Sequence, residues 1–356
     1  MKNVADIYAL SPMQRLMLLH ARTAQSNHDV LFNQIEYEIK GKLDANAYQR
    51  AWQLMVDRHP ALRTIFVWQD GKDPLQVVRE QVTLPWIARD WRRLSAAERD
   101  QKLENLLAND RATGFDLLQA PLMRLYLIRF AEFDYRLVWS THHLIIDRWC
   151  IGLIFAELKN AYETYAAGAL PTLAPAPRYR DYIAWLAKQD VQEAEAYWRE
   201  TLHDTRARPL ALQTETSDEK TDQEVIRISL EGDDWAALRQ FALDSIVTPS
   251  TLVAAAWAVV LGAATAVDDT LFGLTVSGRP ADLPQVGQTV GCFINNVPLR
   301  VPLAGQHSLV SWLQAVQEQQ LDLQAYEYAS LAQIQAWSDL KKKGPLFDTL
   351  LVMQAP

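Results

Sequence analysis

Cysteine is scarce: the 356-residue chain has two, Cys150 and Cys292, far apart and without a CxxC or Cys/His ligand spacing. That excludes a disulfide framework and a thiolate zinc site, and no metal is expected. A positive excess is missing too. Lys and Arg number 35 against 43 Asp and Glu, a formal charge of −8, so no basic face can release counterions from phosphates and no nucleic-acid partner is expected. The one cationic cluster, Lys341-Lys342-Lys343 beside Gly344-Pro345, reads as a solvated loop, with a docking contact for an acidic partner as the alternative. No apolar run reaches the length of a typical membrane span. The longest, TLVAAAWAVVLGAATAV at 251–267, follows Thr248-Pro249-Ser250. It is expected to be a capped helix buried on most sides of a soluble core. The opening MKNVADIYALSP lacks an apolar signal region and a small-residue cleavage site, so a cytoplasmic protein without membrane attachment is expected. Glycine-rich phosphate loops are absent as well. GLTVSG and VGQTVG lack both the strand–GxGxxG–helix setting of a dinucleotide site and the GK[ST] ending of a P-loop.

What is present describes a globular α/β protein. Hydrophobic residues make up 49% and charged residues 22%, and a chain this long is expected to form two domains. Ser11-Pro12-Met13-Gln14 is a capping box opening a helix over MQRLMLLHA. QIEYEIKG, TIFVW, LMRLYLIRF and YRLVWSTHH read as strands; ANAYQRAWQLMVDRHPALR and WCIGLIFAELKNAYETYAAG read as amphipathic helices. The proline-rich ALPTLAPAPR at 169–178 reads as an ordered interdomain connection. Two lobes follow from it, residues 1–170 and 171–356. In the second, YRDYIAWLAKQ and EAEAYWRETL read as helices and TETSDEKTDQE, 214–224, as a polar loop. EVIRISL, TLFGLTVSG, INNVPLRVPL and FDTLLVMQ then read as strands; DDWAALRQFAL and SLVSWLQAVQEQQLDLQAY read as helices. The 12 tryptophans are scattered through these elements and read as core packing. His20, His28, His59, His203 and His307 have no partners suggesting ligation, and Asp268-Asp269 reads as a loop.

One stretch stands apart. STHHLIIDRWC, 140–150, delivers two adjacent histidines to a strand end and follows them with an aspartate. Strand alternation sends neighbouring side chains to opposite faces, so one imidazole can face a cavity while the other packs inward. A carboxylate in apolar surroundings needs a cation, so Asp147 reads as a brace paired with an arginine from the other half, coupling the lobes.

The chain resembles the condensation domains of nonribosomal peptide synthetases, members of the chloramphenicol-acetyltransferase-like acyltransferases. The resemblance spans essentially the whole sequence and rests on motifs in the family's order: YALSPMQRLMLLHA (8–21), RHPALRTIF (58–66), STHHLIIDRWC (140–150), YRDYIAW (179–185), GLTVSGRP (273–280), VGCFINNVPLR (290–300) and GPLFDTLLVMQ (344–354). It implies two acetyltransferase-like lobes in a V-shaped pseudo-dimer around a central tunnel. It implies amide formation between a carrier-bound acyl or peptidyl thioester and the amine of a carrier-bound aminoacyl acceptor. The second histidine of the family's HHxxxDG motif falls on His143, the catalytic candidate, while His142 and Asp147 are mainly structural there. Arg279 matches the partner of the aspartate, Asn295 a residue near the active site, and Arg63 a support for the fold. No cofactor of its own is implied: both substrates ride on 4′-phosphopantetheine arms of carrier proteins, which with adjacent synthetase domains are the expected partners of a monomer.

The chemistry suits these residues. Amine attack on a thioester needs a free amine, a proton acceptor and support for the tetrahedral oxyanion. Imidazole can serve as either acceptor or donor at neutral pH, so general base and orienting group both remain open for His143. Cys150, flanked by Trp149 and Ile151, reads as packing. Two departures from the family stand out. Arg148 replaces the glycine after the aspartate. It is either a tolerated turn variant or a tunnel and donor-side residue that pairs with an anionic group on the substrate or pantetheine arm. The family also continues for several tens of residues past PLFDTLLV, so the second lobe is expected to lack its usual final segment here. LSPMQ, DPLQVV and the 179–198 stretch look like condensation domains accepting D-configured donors or belonging to hybrid polyketide–peptide lines. A coenzyme A-dependent, ester-forming or chain-releasing acyltransferase and a noncatalytic carrier-docking domain are the alternatives.

Overall fold

The computed structural model describes residues 3–23, 31–205, 225–303, 305, 308–340 and 344–353. Lys341–Lys343, the 214–224 loop, His28 and His307 lie outside the described residues. The chain divides into two compact units. One comprises Met1–Gln189 together with Arg279–Ile294; the other comprises Asp190–Gly278 and Asn295–Pro356.

The first unit contains β1 (Asp6–Ala9), α1 (Pro12–Thr23), β2 (Phe32–Lys40), α2 (Ala45–Arg58), β3 (Thr64–Val67), β4 (Leu75–Val78), β5 (Trp86–Asp90), α3 (Ala96–Thr113), β6 (Met123–Ala131), β7 (Asp134–His142), α4 (Trp149–Ala166) and α5 (Tyr179–Leu186). Its larger sheet runs β2-β7-β6-β5, antiparallel except for the parallel β5–β6 pair, and a smaller antiparallel sheet runs β1-β4-β3. Alternation along β7 divides its side chains between two environments. Leu137 and Trp139 enter an apolar core where Trp139 meets Trp52 of α2 at 5.1 Å and Phe155 of α4 at 5.9 Å between ring centroids. Ser140 points the other way, onto the buried carboxylate of Asp110 in α3, which also accepts hydrogen bonds from Tyr126 and Gln34 and pairs with Arg124. α3 escaped the sequence reading for this reason. Its buried residue is a charge, so it shows no apolar stripe, although Ser95 and Glu98 form a capping box at its start.

Arg63 supports this unit through three backbone carbonyls, Val56, Arg79 and Glu80. His59 is fully buried and meets Glu157 of α4 at 2.9 Å, with Arg58 on the same carboxylate. Burial raises that carboxyl, but the hydrogen bonds from His59 and Arg58 outweigh it and hold it at about 2. The proline-rich 169–178 stretch runs within this unit rather than between units: α5 beyond it buries Tyr179 and Tyr182 against Phe293 and Tyr8. The division falls after Gln189, not after residue 170, and Arg279–Ile294 returns to the first unit.

The second unit contains α6 (Val191–Thr201), α7 (Gly232–Asp244), α8 (Pro249–Thr265), β8 (Asp269–Val276), β9 (Asn295–Pro302), α9 (Leu309–Gln324), α10 (Leu331–Trp337) and β10 (Leu350–Val352). Its sheet runs β10-β8-β9, with β10 parallel and β9 antiparallel to β8. Trp198, Phe272, Val297, Leu299, Val316 and Ile334 form its core. Three expectations fail here. Of the expected EVIRISL strand, Glu224 lies outside the described residues and the rest forms no strand: residues 225–230 carry no regular structure, and Val225, Ile226, Ile228 and Leu230 are exposed, with no strand pairing to them among the described residues. α8 does form behind its Thr248 cap, but it is buried along one face only, with Val253, Val259 and Val260 exposed. Asp269 is part of β8 rather than a loop, and Arg300 holds it at 2.9 and 3.0 Å. Among the described residues no single helix is long and apolar enough to cross a membrane; α7 and α8 reach that length only together, across a 100° bend.

Candidate active site

The histidine pair is placed by the end of β7. His142 stands opposite Phe32 in the β2–β7 ladder and its backbone N–H donates to the Leu122 carbonyl at 2.9 Å. The next residue leaves the strand, and the His143 N–H donates to the Leu31 carbonyl at 2.8 Å. The two rings then diverge. His142 is buried, its Nδ1 accepting the Leu144 N–H at 3.1 Å, and it lines a cavity of about 350 Å³ with Phe32, Trp68 and Phe115. His143 is half-buried, and its Nδ1 lies 4.0 Å from the sulfur of Cys292.

Beyond the pair the chain turns, and the three apolar residues of that turn, Leu144, Ile145 and Ile146, are buried. They anchor the loop, so that Asp147 enters the interior with 1% of its side chain exposed. Four donor groups make five contacts with that carboxylate. Arg279 approaches both oxygens at 3.1 and 3.2 Å, the N–H of Phe293 donates at 3.0 Å, and the N–H and S–H of Cys150 donate at 3.3 and 3.2 Å. The arginine is itself held: Nη1 donates to the Val286 and Thr289 carbonyls at 2.7 and 2.9 Å, and the guanidinium lies 4.0 Å over the Phe293 ring. These contacts offset much of the desolvation of a buried ion pair, although Nε of Arg279 is buried with no hydrogen-bond partner among the described residues. Both partners belong to the first unit, so the pair is internal to it and does not join two halves. It ties the turn after β7 to the 279–294 segment.

That segment passes close to α5. The Tyr179 hydroxyl donates to the Cys292 carbonyl, and a β-carbon at Gly291 would collide with the Tyr179 ring, so this position requires glycine. Burial drives the Cys292 thiol well above its ordinary range, with the negative charge of Asp147 acting in the same direction. Cys150 is raised for the same first reason, and both thiols are protonated at neutral pH.

Arg148 adopts an ordinary right-handed backbone, φ −61° and ψ −32°, at the start of α4. The site therefore makes no demand here that only glycine could meet. Its side chain is exposed and has no ion-pair partner among the described residues, while neighbouring Trp149, also exposed, donates its indole N–H to the Gly287 carbonyl at 3.0 Å. Asn295 lies in the second unit. Its amide donates to the carbonyls of Glu327 and Ala329 at 2.7 and 2.8 Å, which uses both N–H groups, and its oxygen accepts the Asn296 N–H.

Sequence reasoning passed over Cys292, Tyr179 and Glu327. Glu327 follows α9, and its carboxyl accepts a backbone hydrogen bond from Gly278; burial nevertheless pushes it up to about 7 from 4.5. A carboxyl raised on folding stabilises the fold fully below its unfolded value and loses that contribution as pH rises through the folded value. The second unit is expected to lose up to about 3 kcal/mol between pH 4.5 and 8 from this group. Urea denaturation at a series of pH values should show the slope, and Glu327→Gln should remove it while leaving its backbone contact to Asn295 in place. An unchanged slope in the variant would assign the pH dependence elsewhere.

A family model described as "Condensation domain" matches residues 4–356. Two subunits of linear gramicidin synthase from Brevibacillus parabrevis are similar to the chain, one 36% identical over 362 residues and the other 37% identical over 358, with 99% of this chain covered in each. Bacitracin synthase 3 of Bacillus licheniformis is 35% identical over 353 residues. The chain spans only 5%, 7% and 6% of the length of these three relatives. Among solved structures, the first condensation domain of the calcium-dependent antibiotic synthetase, in complex with a substrate analogue, matches with a TM-score of 0.76 at 20% identity, covering 99% of this chain and 82% of that one. The cyclization-docking bidomain of EpoB from Sorangium cellulosum matches with a TM-score of 0.77 at 24% identity, covering 97% and 70%. These structures share the mixed α/β fold of this chain.

Proposed function

The chain belongs to the condensation-domain family, and from that membership we propose that it works within a nonribosomal peptide synthetase, joining a carrier-bound acyl or peptidyl thioester to the amine of a carrier-bound aminoacyl acceptor. The observation that carries this reading is the setting of His143: a half-buried imidazole at the end of β7, on a turn fixed by the buried Asp147–Arg279 pair. The acceptor amine attacks the thioester carbon, the C–N bond forms, and the carbonyl electron pair moves onto oxygen. As the intermediate collapses, the C–S bond breaks and the pantetheine thiol leaves with the proton given up by the amine. Thioesters are activated acyl donors, so orientation and support of the oxyanion supply much of the acceleration. His143 is the group that touches the reacting atoms. His142, Asp147 and Arg279 act through the turn that holds it.

The substrates ride on the 4′-phosphopantetheine arms of donor and acceptor carrier proteins, and the chain supplies no cofactor of its own. Adjacent synthetase domains are its partners, in the cytoplasm. Arg148, exposed beside the motif, contacts an anionic group on the donor side. Presentation of the donor separates this function from that of a free-standing acyltransferase. A donor loaded on its carrier is expected to transfer to the acceptor carrier, whereas the same acyl group on coenzyme A with a free amine should not. Efficient transfer from coenzyme A to the free amine would favour the acyltransferase. In the same assay Arg148→Gly is expected to change the ranking of a panel of donor thioesters; an unchanged ranking retires its donor-side role.

A further inference from the structure

Cys292 meets His143 at a ring nitrogen, and nothing in the reaction described above uses that contact. The thiol is fully buried, and its position is fixed from both sides. The carbonyl before it, Gly291, accepts the Asp147 N–H at 3.3 Å and lies 3.1 Å from the Cys150 sulfur. Its own carbonyl accepts the Tyr179 hydroxyl, and the N–H after it binds Asp147. A sulfur held this firmly can act as a fixed wall for a more mobile imidazole.

The two buried thiols differ in what they face. The Cys150 sulfur has two oxygens within hydrogen-bond reach, Asp147 Oδ1 at 3.2 Å and the Gly291 carbonyl at 3.1 Å. Among the described residues the Cys292 sulfur has no oxygen so placed; the polar atom it faces is Nδ1 of His143, at 4.0 Å. Thiols are weak donors and weaker acceptors, whereas a neutral imidazole nitrogen is a good acceptor. A protonated thiol facing an imidazole nitrogen therefore orders the pair with sulfur as donor.

We propose that Cys292 is a positioning residue for His143: its S–H points at Nδ1 and holds the imidazole in the tautomer that carries its proton on Nε2. The catalytic part of this inference rests on the condensation reading above. In that tautomer His143 presents an N–H to the thioester oxygen as negative charge develops there, and it does not take the proton of the amine. That proton passes to the departing thiolate, so the balance of the reaction is unchanged. Asp147 then has a route to the reacting atoms: it braces the 291–293 backbone, which carries the thiol that orients the ring.

Long-range ¹⁵N–¹H NMR of the full, histidine-labelled chain reads the tautomer directly, with His143→Gln identifying the His143 signals. Wild type is expected to show the Nε2–H pattern. Cys292→Ala and the bulkier Cys292→Val should shift the His143 ring nitrogens toward a mixture of tautomers, and Cys292→Ser, which keeps a donor, should restore the original pattern. In carrier-loaded assays kcat is expected to fall roughly 10-fold in the Ala and Val variants with KM little changed, and to recover in the Ser variant. An Nδ1–H pattern in wild type, or identical ring signals in wild type and both apolar variants, overturns the proposal. The two readings fail separately. Ring signals that respond to Cys292 without any change in turnover would keep the contact and remove His143 from the chemistry. Turnover that depends on His143 but ring signals indifferent to Cys292 would do the reverse.

Discussion

Arg279→Ala is expected to destabilise the first unit by about 3–5 kcal/mol, because removing one partner leaves the other charge buried without compensation. The magnitude follows from what the arginine holds. Its side chain is 5% exposed, it meets both oxygens of Asp147, and it donates to the Val286 and Thr289 carbonyls. Its loss would leave the buried Asp147 charge without its cation and would take a donor from the Val286 and Thr289 carbonyls at the same time. Lysine in its place should recover only part of the loss, since a single ammonium cannot reproduce the planar fork that serves the carboxylate and the two carbonyls. Urea denaturation of the two variants gives the ranking, wild type above Arg279→Lys above Arg279→Ala. A loss below about 1 kcal/mol in Arg279→Ala would mean that the pair is far less buried in solution than the structure places it.

The second large effect separates chemistry from architecture. His143→Ala should lower turnover by about 10²–10⁴-fold, the range for losing a positioned proton-transfer or oxyanion group. Its ring is half-buried and makes no ion pair among the described residues, so denaturation should be nearly unchanged. Carrier-protein affinity, measured by titration calorimetry, should also stay the same. A docking platform without catalysis would retain affinity as well, but it would have no turnover to lose.

The parts of this fold that sequence reveals are those whose signals are local. Ser11 and Gln14 satisfy each other's backbone N–H groups, at 3.2 and 3.0 Å, and open α1 where their spacing says they should. β7 is legible as a strand, and the two histidines part because it ends at His142 and His143 enters the turn. α3 stays hidden because a helix pinned by Asp110 has no apolar period to detect. Residues 225–230 mislead for the opposite reason. Val, Ile and Leu alternate there as in a strand, but strand propensity is a statement about packing partners, and the described residues provide none. Within the candidate site, resemblance to a family brought Asp147 together with Arg279, 132 positions away, where residue types alone asked only for some cation. The unit to which Arg279 belongs could not be read at all, because a chain that leaves a unit and returns to it leaves no mark in composition. Cys292 and His143 are 149 positions apart, and a buried cysteine looks the same in sequence whether it packs against a leucine or an imidazole.

The most direct test of condensation chemistry at His143 uses one donor carrier and one acceptor carrier, each loaded on its pantetheine arm, mixed with enzyme and followed by intact-protein mass spectrometry over a single turnover. With wild type, the acceptor carrier should gain the mass of the donor acyl group as the donor carrier loses it; with His143→Ala, both masses should stay put over the same interval. Transfer at equal rates in the two proteins, or none in either with donors and acceptors of every class tried, would contradict the assignment.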